Sequence, residues 1–269
     1  MTDSFRLDGR KALVTGAARG LGAGIARALV AAGADVALGD ISIEEGRATA
    51  AALERLGHGR VIFVEHDVAS ADGWQLAVAH TVRKLGGFDL LVNNAGALAT
   101  SRIADLDAVA LRGMLDVNVI GTALGMKHAF RAMRPGGIAG KGGAVVNVAS
   151  AAAALAVPGL AGYSAASAAI DRLTRVGAAE SGALGYGVRV NCVYPGLVAT
   201  EMGLQLAGDL VALGLADDVS GAVGGAVAAT PLGRLGEVID VAAAIVFLAS
   251  DASRFVTGAG LAVDGGMSG

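Results

Sequence analysis

The sequence predicts one α/β domain: a doubly wound parallel sheet with helices on both faces. Apolar runs of about four to eight residues alternate with helical patterns along the chain, which is the signature of parallel strands joined by crossover helices. No convincing linker or internal repeat divides the 269 residues, an ordinary length for a single α/β domain.

The elements follow in order. Lys11–Val14 reads as a buried strand, and Leu21–Ala32 as a helix ended by Gly33. Asp35–Gly39 is the next strand, Ile43–Leu56 a helix, Val61–Glu65 a strand and Gly73–Leu85 a helix. Leu90–Val92 is a strand, and Leu106–Met133 contains a long helix. Ala144–Val148 (strand), Tyr163–Ser181 (helix), Val188–Val193 (strand), Ile239–Ala249 (helix) and Leu261–Val263 (a short strand) complete the alternation. The stretch 201–231 breaks this rhythm. It is rich in Gly, Ala and Leu, and reads as an inserted substrate loop within the domain 1–269, with a lid as the usual use of such a loop.

Composition excludes several classes. The net charge is −3 with no basic block, so nucleic acid is not the expected partner. Hydrophobic residues make up 54% of the chain and mean hydropathy is +0.60, carried largely by Ala and Val beside 42 glycines. From Gly142 to Ile170 there is no charged residue, a length that could span a bilayer. Asn147, Ser150, Pro158, Gly159 and Tyr163 interrupt it, so it reads as a buried strand, a loop and a helix start, not a membrane span. Met1–Gly9 is polar and short, unlike a secretory signal, and Cys192 is the only cysteine. A cytoplasmic setting is expected from both. His58, His66, His80 and His128 show no metal-ligand spacing and read as surface or packing residues, so no metal is expected.

Thr15-Gly16-Ala17-Ala18-Arg19-Gly20-Leu21-Gly22 follows the first strand and opens the first helix. Glycines let the backbone turn sharply and approach a pyrophosphate, while the helix N-terminus offers free N–H groups and a favourable dipole. The spacing is Gly-x-x-x-Gly-x-Gly, distinct from the general dinucleotide fingerprint. Asp40 ends the second strand, where a carboxylate can accept from both ribose hydroxyls of NAD and repel the 2′-phosphate of NADP. Arg19 pulls toward NADP, and the balance favours NAD.

These motifs, with Asn93-Asn94-Ala95-Gly96, Ser150 and Tyr163, resemble the short-chain dehydrogenase/reductase family over about residues 7–266, which implies a Rossmann-type fold. The resemblance implies an adenine contact at Asp67-Val68 and an adenine-ribose segment at Asn94, Ala95 and Gly96. It implies a nicotinamide-side turn at Pro195, Gly196, Leu197, Val198, Ala199 and Thr200, with Thr200 on the carboxamide. Asp264-Gly265-Gly266 resembles the family's ending. It further implies that Tyr163 exchanges the substrate's hydroxyl proton, that Ser150 bonds the substrate oxygen, and that Asn118 anchors a water in the proton relay. Hydride leaves a carbinol carbon only as its oxygen loses a proton, so a base must stand there.

The family pattern is Tyr-x-x-x-Lys, and here Ser167 stands at the lysine position. A cation near the phenol would lower its pKa from about 10, and a serine supplies none. Lys11, Lys84, Lys127 and Lys141 are remote in sequence, and Arg172 lies nine residues beyond Tyr163. Three readings follow: a slower or high-pH dehydrogenase, a pocket turned to non-redox chemistry such as isomerisation or dehydration, or a sequence that is itself a variant at the catalytic site. A nucleotide-binding protein without catalysis is a further alternative.

Leu98, Leu155, Val157, Leu160, Tyr194, Met202, Leu204 and Leu206 are the expected substrate wall, and no basic cluster stands among them. They suit a neutral, fairly hydrophobic secondary alcohol or its ketone. The resemblance also implies a homotetramer, and the charge-poor helix beginning at Tyr163 would suit a subunit interface.

Overall fold

The computed structural model describes residues 2–269. Seven strands form one sheet: β1 (Lys11–Thr15), β2 (Asp35–Asp40), β3 (Val61–Glu65), β4 (Leu90–Asn93), β5 (Gly143–Val148), β6 (Val188–Pro195) and β7 (Gly260–Val263). Every pairing is parallel, in the order β3-β2-β1-β4-β5-β6-β7. Each expected strand is present, with ends within two residues of the sequence reading.

The strands alternate faces. Ala12, Val14, Leu90, Val92, Ala144 and Val146 enter one core, beneath α1 (Gly20–Ala31), α2 (Ile43–Glu54) and α9 (Val238–Ala249). Leu13, Leu91 and Val145 enter the other, beneath α3 (Ala71–Leu85), α5 (Gly121–Met133) and α6 (Ala161–Ala183). Because successive side chains leave a strand on opposite faces, one apolar run feeds two cores. That explains why these runs lack a polar face.

The long helix expected over 106–133 is α4 (Ala108–Leu115), a π-helical turn (Asp116–Ile120) and α5 in continuous succession. By length and composition Ala108–Met133 could cross a bilayer, but Met126, Ala129, Phe130 and Met133 are buried in the second core. Gly142–Ile170 is β5, a turn and the start of α6, in agreement with the sequence pattern.

The stretch 201–231 is not a loop. It forms α7 (Glu201–Ala212) and α8 (Val219–Ala228). Thr200 caps α7 by accepting from the Gly203 amide, and Asp218 caps α8 by accepting from the Gly221 amide at 2.7 Å. The Gly- and Ala-rich composition hides their period, since α8 is apolar nearly all round. Thr100 Oγ1 donates to Asp209 Oδ2 at 3.0 Å, and Arg102 donates to the Leu213 carbonyl. These bonds fasten α7 to the segment after β4.

Strand order reverses between β1 and β4, and the crevice beyond the carboxyl ends there is where such sheets take ligands. A buried polar brace fixes that end of the sheet. Asn93 Nδ2 donates to Asn147 Oδ1 at 2.8 Å, and Asn147 Nδ2 donates to Thr174 Oγ1 at 2.9 Å. It ties β4, β5 and α6 together directly below the site.

Candidate active site

The chain turns after β1 through Gly16 and Gly20, at φ +62° and +55°. Both lie in the left-handed region, which favours glycine. A Cβ on Gly22 would stand 2.0 Å from the Gly16 carbonyl oxygen, so the loop closes only with glycine there. Arg19 is the N-cap of α1 and makes no side-chain cap bond. The first amides of α1 are left open toward the cleft, as an anion-binding helix terminus needs.

Asp40 is fixed by two backbone amides: Ala18 N to Oδ2 and Ser42 N to Oδ1, each at 2.9 Å. Arg19 reaches Glu45 Oε2 at 2.9 Å and Glu201 Oε2 at 3.1 Å. It bridges the glycine loop to α2 and to the start of α7, and two carboxylates already offset its charge. Asp67 Oδ1 accepts from Ala69 N at 2.9 Å, and the Val68 carbonyl accepts from Trp74 Nε1. Asn94 Nδ2 donates to the carbonyls of Thr15 and Gly16 at 3.0 and 3.1 Å, bracing the glycine loop. Ala95 presses so close to Gly16 that a Cβ on that glycine would meet its Cα at 2.7 Å.

Asn118 sits in the π turn. Its amide side chain pairs with the main chain of Ala97 in both directions, at 2.8 and 2.9 Å. It therefore holds the segment after β4, while its own carbonyl accepts from Thr122 Oγ1. Thr200 spends its hydroxyl capping α7.

Ser150 follows β5 and Tyr163 lies in the first turn of α6. Ser150 Oγ accepts from Ala152 N at 3.2 Å, and Ser150 and Tyr163 line the same cleft. Burial pushes the Tyr163 phenol above its ordinary pKa, and the nearby Ser150 hydroxyl opposes the shift only in part. Ser167 lies one helical turn on, is 2% exposed, and faces the same cleft without a hydrogen bond from its side chain to the described residues.

All these features line one cleft of about 1210 Å³ across the carboxyl ends of the strands. The fold brings there Gly16, Arg19, Gly20, Leu21, Gly22, Asp40, Asp67, Val68, Asn94, Ala95, Gly96, Asn118, Ser150, Tyr163, Ser167, Pro195, Gly196, Val198 and Thr200.

Two expected wall residues lie elsewhere. Tyr194 turns under α6, beside Ile170 and Cys192, and its hydroxyl donates to Asp171. Leu204 is on the outer side of α7 and is exposed. The cleft instead takes Gln205, Leu210 and Met267, with Ala222 and Ala226 of α8 and its C-cap residue Ala229 along one side. That i, i+4, i+7 spacing is readable in the sequence once α8 is recognised as a helix. Among the described residues no group of three or more His, Cys, Asp or Glu side chains comes together as a metal site.

His66 is the polar residue that sequence reasoning undervalues. It is 3% exposed, lines the cleft, and stands edge-on to Trp74 with ring centroids 4.4 Å apart. Neither ring nitrogen has a hydrogen-bond partner among the described residues. Burial lowers its pKa to about 4, with Asp67 pulling weakly the other way. An unfolded histidine titrates near 6.5. As pH falls from about 6.5 to about 4 the unfolded chain gains this proton before the folded one does, so stability falls through that window and levels off below it. The loss should be on the order of 3 kcal/mol. Urea unfolding at several pH values should show a shallower acid dependence for His66→Gln than for the native protein. Equal slopes would mean that His66 protonates in the folded state without penalty.

The family model described as Enoyl-(Acyl carrier protein) reductase matches residues 16–268. The chain belongs to the short-chain dehydrogenase/reductase family. It is 36% identical to the trans-4-hydroxycyclohexanecarboxylate dehydrogenase of Sinomonas cyclohexanicum over 268 residues, covering 98% of this chain and 94% of that one. It is 38% identical to the 3-alpha-(or 20-beta)-hydroxysteroid dehydrogenase of Mycobacterium tuberculosis over 263 residues, covering 98% and 91%. Among solved structures, a 7 alpha-hydroxysteroid dehydrogenase complexed with NADH and 7-oxo glycochenodeoxycholic acid superposes with a TM-score of 0.88 at 28% identity, covering 99% and 97%. A gluconate 5-dehydrogenase from Burkholderia cenocepacia in complex with NADP and tartrate gives 0.86 at 32% identity, covering 99% and 98%.

Proposed function

We propose that this protein is an NAD-dependent oxidoreductase interconverting a neutral, fairly hydrophobic secondary alcohol and its ketone. The observation that carries the reading is one cleft holding an uncapped helix N-terminus, a fixed carboxylate at Asp40 and both Ser150 and Tyr163. The dinucleotide would lie with its pyrophosphate on α1 and its adenosine toward Asp40, Asp67 and Val68. Its nicotinamide, the hydride donor or acceptor, would lie beside Pro195–Thr200. Tyr163 exchanges the proton of the substrate oxygen, Ser150 bonds that oxygen, and Asn118 shapes the wall behind them.

NAD is favoured over NADP by charge. Asp40, held at the end of β2 by backbone amides, would repel a 2′-phosphate, and Arg19 is drawn into ion pairs with Glu45 and Glu201. A neutral substrate is favoured because the formally charged residues lining the cleft are Arg19, Asp40, Asp67 and Glu201, all on its nucleotide side or rim. Relatives named for ring alcohols support an alicyclic substrate. The test is a panel of cyclic secondary alcohols with each nicotinamide, followed by the absorbance of the reduced cofactor, together with both dissociation constants. NAD should bind more tightly than NADP, and Asp40→Ala should narrow the gap. Equal or tighter NADP binding by the native protein would overturn the assignment.

A second reading rests on Ser167, which leaves the phenol without a neighbouring cation: a cofactor-retaining isomerase or dehydratase. Substrate conversion with no net change in nicotinamide would favour it. A homotetramer and a cytoplasmic setting belong to the same proposal. Exposed Val109, Ile120 and Val176 on the α4–α6 side and exposed Phe255 and Leu261 near the β7 edge support association. A monomer in sedimentation equilibrium would remove that part. Cys192 is buried, with its thiol pushed up to about 12, and offers no reactive thiolate.

A further inference from the structure

We infer that Glu45 and Glu201 are specificity residues for the nucleotide: together they occupy the guanidinium of Arg19, so that it cannot clamp a 2′-phosphate. This deepens the NAD reading above and rests on it. Neither carboxylate has to touch the nucleotide. Each acts through Arg19, as a positioning residue.

Arg19 is the N-cap of α1 and stands next to Gly20 in the glycine loop. Among the described residues lining the cleft it is the one formal cation, against the carboxylates of Asp40, Asp67 and Glu201. What that cation is paired with therefore decides how the site meets an extra phosphate. Its Nη1 donates to Glu45 Oε2 at 2.9 Å, and its Nε stands 3.1 Å from Glu201 Oε2. A guanidinium grips phosphate as a fork, through two neighbouring N–H groups on one edge. Such an edge joins Nη2 to either Nε or Nη1. Glu201 takes Nε from one fork, and Glu45 takes Nη1 from the other. A phosphate can use either fork only by displacing a carboxylate.

The two carboxylates come from separate helices. Glu45 lies in the first turn of α2, just after β2, and is not part of the cleft lining. Glu201 lies in the first turn of α7 and does line the cleft. Arg19 is thus stretched between the helix on the nucleotide side and the helix that follows Pro195–Thr200. Asp40 is left out of this arrangement. Among the described residues it makes no ion pair with Arg19, and its oxygens accept from the Ala18 and Ser42 amides. The carboxylate expected at the ribose therefore faces a 2′-phosphate with no arginine to offset it. An acidic residue in a first helical turn also has an ordinary use, since it complements the helix dipole. That use needs no arginine, and it is the rival explanation for Glu45 and Glu201.

The side chains of Arg19, Glu45 and Glu201 are 61%, 53% and 77% exposed. Each pair is therefore weak and screened by salt. Weak pairs are enough here, because the contact they compete with, Arg19 on a 2′-phosphate, would be made by the same exposed group. Removing one carboxylate frees one fork, and removing both frees the whole guanidinium.

The test is a double-mutant cycle read by binding, so it needs no substrate. Calorimetry with adenosine 2′,5′-bisphosphate and with 5′-AMP isolates the 2′-phosphate. Fluorescence titration with NADPH and NADH repeats the comparison on the whole cofactor. Glu45→Gln and Glu201→Gln should each shift the affinity ratio toward the 2′-phosphorylated ligand by about two- to fivefold, and the two together by about tenfold. In an Arg19→Ala background the same substitutions should leave the ratio where it was. Loss of helix-dipole complementarity would instead lower the melting temperature without moving the ratio. A ratio indifferent to both substitutions overturns the inference. So does a gain that survives in the Arg19→Ala background, because the carboxylates would then repel the phosphate by their own charge. Tighter binding of NADP than of NAD by the native protein, with the cycle as expected, would bring down the NAD reading and leave the hold on Arg19 standing.

Discussion

Tyr163→Phe should lower turnover by about 10²–10⁴-fold in both directions while changing nicotinamide affinity little. The substitution keeps the ring and removes only the oxygen. Tyr163 sits in the first turn of α6 and lines the same cleft as Ser150. Loss of the hydroxyl therefore removes the proton exchanged with the substrate and leaves the scaffold in place. Steady-state rates and a fluorescence titration with NADH separate the two effects. A variant keeping most of its turnover would show that the proton travels by another route. The Ser150 hydroxyl in the same cleft would be the next candidate, and adding Ser150→Ala to the Tyr163→Phe variant would test that route.

Much of the fold was legible because each parallel strand is a short apolar run closed by a glycine turn or a helix cap. Val36–Leu38 and Val145–Val146 can only be strands buried on two sides, and the structure buries them so. The site was legible where backbone geometry demands particular residues, as at Gly16, Gly20 and Gly22. It was less legible where a side chain chooses between faces. Tyr194 stands two residues from Gly196 of the cleft, yet strand alternation sends it under α6 to Asp171. Leu204 falls on the outer side of α7 for the corresponding helical reason. The two helices of 201–231 are hard to see in the sequence because alanine and glycine blur the contrast on which a helical period depends. The double pairing of Arg19 joins residues 26 and 182 positions apart, Glu45 and Glu201, and only the folded chain brings them together. His66 reads as a packing residue and does pack on Trp74. Its two unpartnered nitrogens emerge only with the neighbours in place.

Ser167→Lys should move the reaction's pH dependence more than any other single change at the site. Ser167 is one helical turn beyond Tyr163, buried, and open to the same cleft, so a longer side chain there extends along the wall that carries the phenol. An ammonium group beside the phenolate should lower the Tyr163 pKa by about 1–3 units. Alcohol oxidation near neutral pH should then rise by about 10–10³-fold, and the oxidation profile should reach its plateau at a correspondingly lower pH. The change has a cost, because an ammonium placed in a wall with no carboxylate loses hydration that nothing but Ser150, Tyr163 and a bound ribose could replace. Thermal stability without cofactor should therefore fall, and NAD should recover part of it. Ser167→Met is the control for bulk, since it fills similar space without charge and should leave the profile where it was. A faster neutral oxidation in the Lys variant alone would place position 167 beside the reacting phenol. An unmoved profile and unmoved NAD affinity in a folded Lys variant would mean that this turn of α6 does not face the chemistry, and the assignment of Tyr163 as the reacting group would fall with it.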